Sequence, residues 1–271
     1  MGWSPFRKTG LTHYQPEHCF NGYTLLAPVG NDDLVLLNME GKIVKQWEFE
    51  GMSPNLATFR LNGNLLVQSI SAEKRAAAAA LEDGDFSNPD LLGIKMGGWS
   101  TDLQEYDWDG NLLWHYENPR MHHDFHECDN GDFLFPEWVV LPKELSNKVE
   151  GGYKNAPELP FMFGDDIVRI NRKGEEVGRW KTWQMLDPIK DPIGLQQSRR
   201  EWTHMNSVEV MPDGQIIASL CENSRVIMID PDKHSITWKL GEPEISMQHH
   251  ATPVNNGNIQ IFDNEIGRAH V

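Results

Sequence analysis

The sequence repeats itself, and the repeat leaves few folds open. One unit runs as an apolar strand, a tight turn opened by Asn or Asp, and a second strand ending on Trp. Its copies place Asn38 and Gly41 before Trp47, Asp107 and Gly110 before Trp114, and Asn171 and Gly174 before Trp180; a weaker copy has Asp230 and Lys233 before Trp238. A second unit follows each first one, a Gly turn and then a short apolar strand, at Gly63, Gly131, Gly214 and Gly257. Asn and Asp open such turns because the side chain bonds the backbone ahead, and Gly closes them because it accepts positive φ. Two hairpins per repeat make four short strands, which predicts an all-β chain built like a β-propeller, with about four blades countable.

Excursions interrupt the repeat. A five-Ala run behind Ser71, with Glu73 and Lys74 in the first turn, predicts a helix within residues 71–83. Residues 139–164 and 181–200 are rich in Pro, Lys, Glu and Gly and read as long loops, of the kind that shape a mouth on one rim. The last seven residues, EIGRAHV at 265–271, read like a sequencing adapter translated in frame after Asn264. On that reading residues 1–264 form a single, incomplete domain, truncated at the C-terminus.

Composition narrows the function classes. With 24 Lys and Arg against 40 Asp and Glu, the net charge of −16 repels phosphate backbones and anionic lipid, so nucleic acid and membrane surfaces are not expected partners. No run approaches 18 apolar residues, so no spanning helix is expected. Cys19, Cys128 and Cys221 are far apart, which argues against a disulfide scaffold and a structural zinc site. The N-terminus shows no apolar leader and so no secretory signal; as written, the chain reads as cytoplasmic.

Polar residues recur in register. Counting eight back from each turn Gly of the second unit lands on Asn55, His123, Asn206 and His249. A fixed offset and strand alternation predict one such side chain per blade at the start of the innermost strand, facing a central channel. His204, two residues before Asn206, is expected on the same strand face. His249 and His250 are adjacent and so face opposite ways, with register choosing His249. His122 and His126 read more simply as hydrogen-bonded structural histidines, and Asn55 as a structural residue of a blade without chemistry. Most Trp residues read as packing, with Trp202 beside His204 a candidate pocket wall. Neutral imidazoles and an amide, without clustered carboxylates, suit a tetrahedral oxyanion, and one imidazole nitrogen can act as nucleophile. The same imidazoles suit a divalent metal equally well.

Several stretches carry a family resemblance. They are Gly10-Leu11-Thr12, Gly22-Tyr23-Thr24-Leu25, His122-His123-Asp124 with Asp129-Asn130-Gly131, Trp202-Thr203-His204-Met205-Asn206-Ser207, Gln248-His249-His250-Ala251 and Ile261-Phe262-Asp263-Asn264. Their order and spacing over residues 9–264 resemble the arylsulfotransferase family. The resemblance implies a six-bladed propeller and nucleotide-independent transfer of a sulfuryl group from a phenolic sulfate ester to a phenol, by a ping-pong route through a sulfohistidine. It implies no cofactor, small-molecule donor and acceptor as partners, and often a periplasmic location. By position, His249 resembles the histidine that is sulfated. His204 and Asn206 resemble the residues that hold the sulfuryl oxygens, and His123, or its neighbour His122, the remaining pocket histidine. The family pattern also has an Arg shortly after the H-x-N-S strand; here that position falls on Cys221 or Glu222, and Arg225 is the candidate substitute. A carboxylate there disfavours a dianionic transition state by ~2–3 kcal/mol.

The expectation is therefore an arylsulfotransferase-like enzyme with His249, His204, Asn206 and His123 catalytic, His122, Trp202 and Arg225 substrate-binding, and no metal. Two rivals remain open from the residues alone: a metal-dependent propeller enzyme with histidine ligands, and a non-catalytic binding module.

Overall fold

The computed structural model describes residues 10–28, 30–81, 87–153 and 160–264, the side chains of 94 and 95 excepted. The adapter-like stretch at 265–271 lies outside the described residues. The chain divides into two compact units, residues 1–73 with 103–115, and residues 74–102 with 116–271.

In the first unit, β1 (Thr24–Leu26), β2 (Asp33–Leu37) and β3 (Ile43–Glu48) form an antiparallel three-stranded sheet. β4 (Met52–Phe59) and β5 (Leu65–Ser71) pair antiparallel, and the α-helix α1 (Ala72–Ala79), as the Ala run predicts, carries the chain from Lys74 on into the second unit. β6 (Asp102–Tyr106) and β7 (Leu112–Glu117) complete a sheet in the order β4-β5-β6-β7. Leu34, Leu36, Trp47, Phe49, Leu65, Val67 and Tyr106 make its core.

The second unit continues the pattern. β8 (His126–Glu127) and β9 (Phe133–Val140) pair with β11 (Phe163–Ile170) and β12 (Glu176–Lys181) in the order β12-β11-β9-β8, with the short helix α2 (Lys143–Ser146) and β10 (Gly151–Tyr153) between β9 and β11. Helix α3 (Thr182–Met185) and β13 (Ile193–Ser198) lead to a further meander of β14 (Met205–Val210), β15 (Ile216–Leu220), β16 (Arg225–Asp230) and β17 (Ser235–Gly241). β18 (His249–Pro253) and β19 (Ile259–Phe262) form an antiparallel pair. The fold is all-β, with the four-strand, nearest-neighbour sheets that the repeat predicts.

The turns form for the reason given by their residues. Asn38, Asp107 and Asn171 each accept the backbone N–H groups two and four residues on. In the second-unit turns Asn62, Asn130, Asp213 and Asn256 each accept the N–H two residues on. The repeated Trp ties one sheet to the next first-unit turn: Trp47 Nε1 donates to the Trp108 carbonyl and Trp180 Nε1 to the Pro231 carbonyl, both at 2.9 Å.

The two excursions read as loops are not simply loops. Strands β9 and β11 run into residues 139–164 from either side, and β10 inside that stretch pairs in parallel with β13 inside 181–200. The close approach depends on Gly151, whose φ is +81° and whose Cβ would lie 1.9 Å from the Ile193 carbonyl oxygen. Arg199 then stitches the stretches together by donating to the carbonyls of Ser146, Val149 and Gly151. Strands this short carry almost no periodic signal, which is why composition alone predicts loop.

Candidate active site

The predicted histidines lie in three segments of the second unit: the stretch before β8, the loop entering β14, and the start of β18. In the first, His122 is fully buried and stacks on Trp138, with ring centroids 4.2 Å apart and planes 10° apart. Its Nε2 lies 3.1 Å from Asp165 Oδ1, and its Nδ1 lies 2.8 Å from His123 Nδ1. Asp165 also accepts from Thr203 Oγ1 at 2.6 Å and from the Met205 N–H at 2.7 Å. Burial works to raise its pKa, but His122 and these donors outweigh it and hold the carboxyl below the usual range.

His123 does not sit in a strand; it precedes β8 by three residues at φ 56°. Its N–H donates to the Gly98 carbonyl at 2.7 Å, and its ring packs so closely that a Cβ on Gly98 would lie 2.2 Å from it. The rings of His123 and His204 meet edge-on, 4.4 Å between centroids. Burial first, then the charges of His204, His122 and His249, hold the His123 pKa well below its ordinary value, so its imidazole is neutral at pH 7.

His204 is the opposite case. Its Nδ1 lies 3.0 Å from Glu201 Oε1, while Glu201 Oε2 accepts from Trp138 Nε1 at 2.9 Å. Burial opposes the charge, but Glu201 by charge and hydrogen bond, with Glu222 and Asp165 behind it, raises the pKa to about 9. His204 is therefore an imidazolium at neutral pH. Its expected place on the Asn206 face is corrected: at φ 50° it precedes β14, and this left-handed residue breaks the two-residue alternation.

His249 is the first residue of β18 and is half-buried. Its Nδ1 lies 3.2 Å from the Met247 carbonyl oxygen. Asn264 Nδ2 donates to that same oxygen at 2.7 Å and lies 3.2 Å from the ring nitrogen. Burial lowers the His249 pKa, the Met247 carbonyl partly raises it, and the charge on His204 lowers it again; the net shift is downward. His250, exposed and at φ 51°, faces other groups, with Asp124 sensing its charge.

Three expected roles are altered by the contacts. The Asn206 amide is spent on the backbone of the neighbouring sheet: Nδ2 donates to the Gln248 carbonyl at 2.9 Å and Oδ1 accepts from the His250 N–H at 3.2 Å. It thereby fixes the β18 entry that carries His249. Trp202 is not a pocket wall. It is fully buried in the hydrophobic core, with Nε1 donating to the Asp191 carbonyl at 2.7 Å, because its apolar ring has a core to fill and its N–H an acceptor there. Arg225 lines the cavity described below, but its guanidinium is already engaged. Its guanidinium is held by Asp191 at 3.1 Å and by the carbonyls of Ser224 and Lys190, an ion pair completed by Lys239 on the same carboxylate. Asn55, the fourth residue of the register count, lies exposed in β4 of the first unit, at a register shift between Pro54 and Leu56.

Cys221 and Glu222, the two residues expected at the family Arg position, follow β15 directly, and the Cys221 thiol points at the Met247 carbonyl at 3.6 Å. Cys221 is buried, its thiol pushed up to about 12 by burial first and then by Glu222 and Glu201. The Glu222 carboxyl is raised to about 7, chiefly by burial and also by Glu201, against the opposing charge of His204. Its backbone is pinned at both ends, N–H to the Thr203 carbonyl at 3.1 Å and carbonyl from the Gly194 N–H at 2.7 Å. With its amide turned so that the nitrogen faces the carboxylate, Gln197 donates to Glu222 Oε2 at 3.0 Å.

Beside this cluster opens a cavity of about 610 Å³ lined by Gly151, Ile193, Gly194, Gln197, Asn223 and Met247, among others. Two of these residues touch the cluster, the Met247 carbonyl at His249 and the Gly194 N–H at the Glu222 carbonyl, while His123, His204, His249 and Glu222 do not themselves line the cavity. Among the described residues, no group of three or more His, Cys, Asp or Glu is placed to hold a metal ion.

Sequence reasoning missed Glu201, Asp165, Trp138 and Gly98. Glu201 had a signal, its place three residues before His204; Asp165 and Trp138 come from strands remote in sequence and had none.

A family model described as Arylsulfotransferase (ASST) matches residues 69–247, about two thirds of the chain, and ends two residues before His249. No curated protein matches. Among solved structures, the chain is similar to a protein of unknown function from Bacteroides caccae, at 11% identity over 92% of this chain and 86% of that one, with a TM-score of 0.42. It is similar to virginiamycin B lyase from Staphylococcus aureus, a catalytically inactive variant with quinupristin, at 12% identity over 91% and 68% and a TM-score of 0.46. Hydrazine synthase from Kuenenia stuttgartiensis follows at 12% identity over 78% and 49%, with a TM-score of 0.44. These three likenesses are too loose to carry an activity across.

Proposed function

From the premise that this chain belongs to the arylsulfotransferase family, we propose that it moves a sulfuryl group from a phenolic sulfate ester to a phenol by way of a sulfohistidine on His249. The scaffold in this reading is a six-bladed propeller. The observation that carries it is the protonation contrast between His249 and His204.

His249 has a lowered pKa and a peptide carbonyl behind Nδ1. With Nδ1–H directed at Met247, Nε2 keeps a free lone pair, the form needed for attack. That pair attacks sulfur, the bond from sulfur to the aryl oxygen breaks, and its electrons leave on the phenolate. In the second transfer the acceptor oxygen attacks the same sulfur and the S–N bond returns its pair to Nε2. His204, held charged by Glu201, supplies the fixed cation and an Nε2–H for the sulfuryl oxygens. His123 packs edge-on against His204 as a neutral donor or acceptor, and His122, pinned between Asp165 and Trp138, positions it. Asn206 acts one step back, by seating the β18 entry. Donor and acceptor are small molecules in this reading.

The test is a chromogenic aryl sulfate with a phenol acceptor, comparing wild type with His249→Ala. Loss of the nucleophile is expected to lower turnover by ~10³-fold or more. Equal turnover by the variant removes the mechanism.

A further inference from the structure

Resting on the sulfohistidine reading, we propose that Asn264 is the positioning residue that sets the tautomer of His249, by holding the Met247 carbonyl behind Nδ1 so that Nε2 keeps its lone pair. Asn264 closes the Ile261-Phe262-Asp263-Asn264 stretch, two residues after the end of β19. Strand pairing brings it to the nucleophile. Phe262 in β19 pairs with His249 in β18, so the chain leaving β19 runs beside the chain entering β18. Beyond that pair, side chains take over from the backbone ladder. Asp263 Oδ1 accepts from the Ser246 N–H at 2.9 Å, and Asn264 Nδ2 donates to the Met247 carbonyl at 2.7 Å. Met247 needs such support because it is left-handed, at φ 51°, a conformation that a residue with a Cβ adopts only at a cost. Ser224 Oγ accepts the Met247 N–H at 3.1 Å, while Asn264, with the weaker Cys221 thiol at 3.6 Å, holds the carbonyl end.

The amide has one workable orientation. Its oxygen turned toward Met247 would set two acceptors 2.7 Å apart, so the nitrogen faces the carbonyl. The Met247 oxygen lies 2.7 Å from Asn264 Nδ2 and 3.2 Å from His249 Nδ1, and the two nitrogens are 3.2 Å apart. Seen from the amide nitrogen, the oxygen and the ring nitrogen are therefore about 65° apart. The two N–H bonds of an amide diverge by ~120°, so one that donates to the carbonyl aims its second hydrogen away from Nδ1. The ring nitrogen is left with the carbonyl, an acceptor, and carries the proton itself. One oxygen thus takes two donors: Asn264 holds it still, and His249 takes its tautomer from it. When Nε2 attacks sulfur and the S–O bond breaks, the Nδ1 proton stays in place, and the same carbonyl faces a ring that now carries positive charge. Without Asn264 the Met247 peptide is free to turn, Nδ1 loses its acceptor, and the proton moves to Nε2, the atom that must attack.

The experiment is nitrogen-15 NMR of the histidine rings in the full chain, with His249→Ala assigning the signals, alongside transfer from 4-nitrophenyl sulfate to phenol. Wild type, with His249 neutral, is expected to show Nδ1 protonated and Nε2 bare. In Asn264→Ala the proton is expected on Nε2, and kcat to fall ~10-fold with the donor KM within ~2-fold. The isosteric Asn264→Asp sets a carboxylate oxygen where the amide nitrogen stands, 3.2 Å from Nδ1. It is expected to raise the His249 pKa and to move the rise of transfer with pH upward by ~1 pH unit. The other titratable rings coupled to His249 are His204, from the loop before β14, and His123, from the stretch before β8, and the change alters neither. Nδ1 bare in wild type overturns the proposal, and so does Asn264→Ala with the wild-type tautomer and kcat. An unmoved pH profile in Asn264→Asp also overturns it, whether or not the Ala variant folds. Wild type with the expected tautomer but no SO₃ on His249 overturns the sulfohistidine reading, and the catalytic meaning of the tautomer with it.

Discussion

The loop before β14 and the start of β18 each carry one partly buried imidazole, and burial pushes both toward the neutral form. His204 nonetheless ends with a pKa of about 9, and His249 ends below its ordinary value. What differs is the group behind Nδ1. A carboxylate stands at 3.0 Å in one place and a peptide carbonyl at 3.2 Å in the other. The role of each ring, fixed cation or free nucleophile, is set one bond behind the chemistry. The His204 charge then reinforces the division, since it also lowers the pKa of His249 and of His123.

The largest expected break in this contrast comes from Glu201→Gln. Without the carboxylate, burial prevails and the His204 pKa falls from about 9 to the ordinary histidine range or below, read by NMR titration of the imidazole protons. Transfer at pH 8 is expected to fall ~10²-fold, because the sulfuryl oxygens lose their cation. The stability profile changes with it. A raised folded-state pKa gives stabilisation that is complete below the unfolded value near 6.5 and lost as pH rises through about 9. Wild type should therefore lose Tm across that window from this group, and Glu201→Gln should show a flatter profile. An unmoved His204 titration would break the comparison.

A smaller effect tests the third ring. Gly98→Ala places a methyl 2.2 Å from the His123 ring at a φ of +67°. We expect a loss of about 1–3 kcal/mol in denaturant unfolding and a fall in transfer of ~10-fold as His123 moves off His204. Wild-type stability and activity would show that the packing of His123 is not needed.

The smallest effect on transfer belongs to Arg225→Ala. Its guanidinium is held by Asp191 although the residue lines the cavity, and Lys239 remains on that carboxylate. Stability should drop by about 1–2 kcal/mol while the donor KM stays within ~2-fold. A large rise in donor KM would return Arg225 to the binding site.

Much of the scaffold was legible because its signals are local. Asn38, Asp107 and Asn171 bond their own turns, and the Ala run makes its own helix. The register count lands at strand starts for Asn206 and His249, each beside a register shift in its pairing. The count fails to put His123 in a strand, and alternation from Asn206 fails at His204, because both residues have a left-handed backbone. Residue type misled at Trp202, because an indole near a motif finds its partners in the core. Asp165 and Trp138 stayed invisible, since only strand pairing in β9 and β11 brings them to His122.

The central claim, a neutral His249 that becomes covalently sulfated, is open to one direct measurement. Protein is mixed with 4-nitrophenyl sulfate without acceptor, quenched in base, and its peptides are mapped by mass spectrometry. The account predicts one added SO₃ on the peptide holding His249, removed by phenol before quenching and absent in His249→Ala. An SO₃ on another residue, or turnover with no adduct at His249, would contradict it.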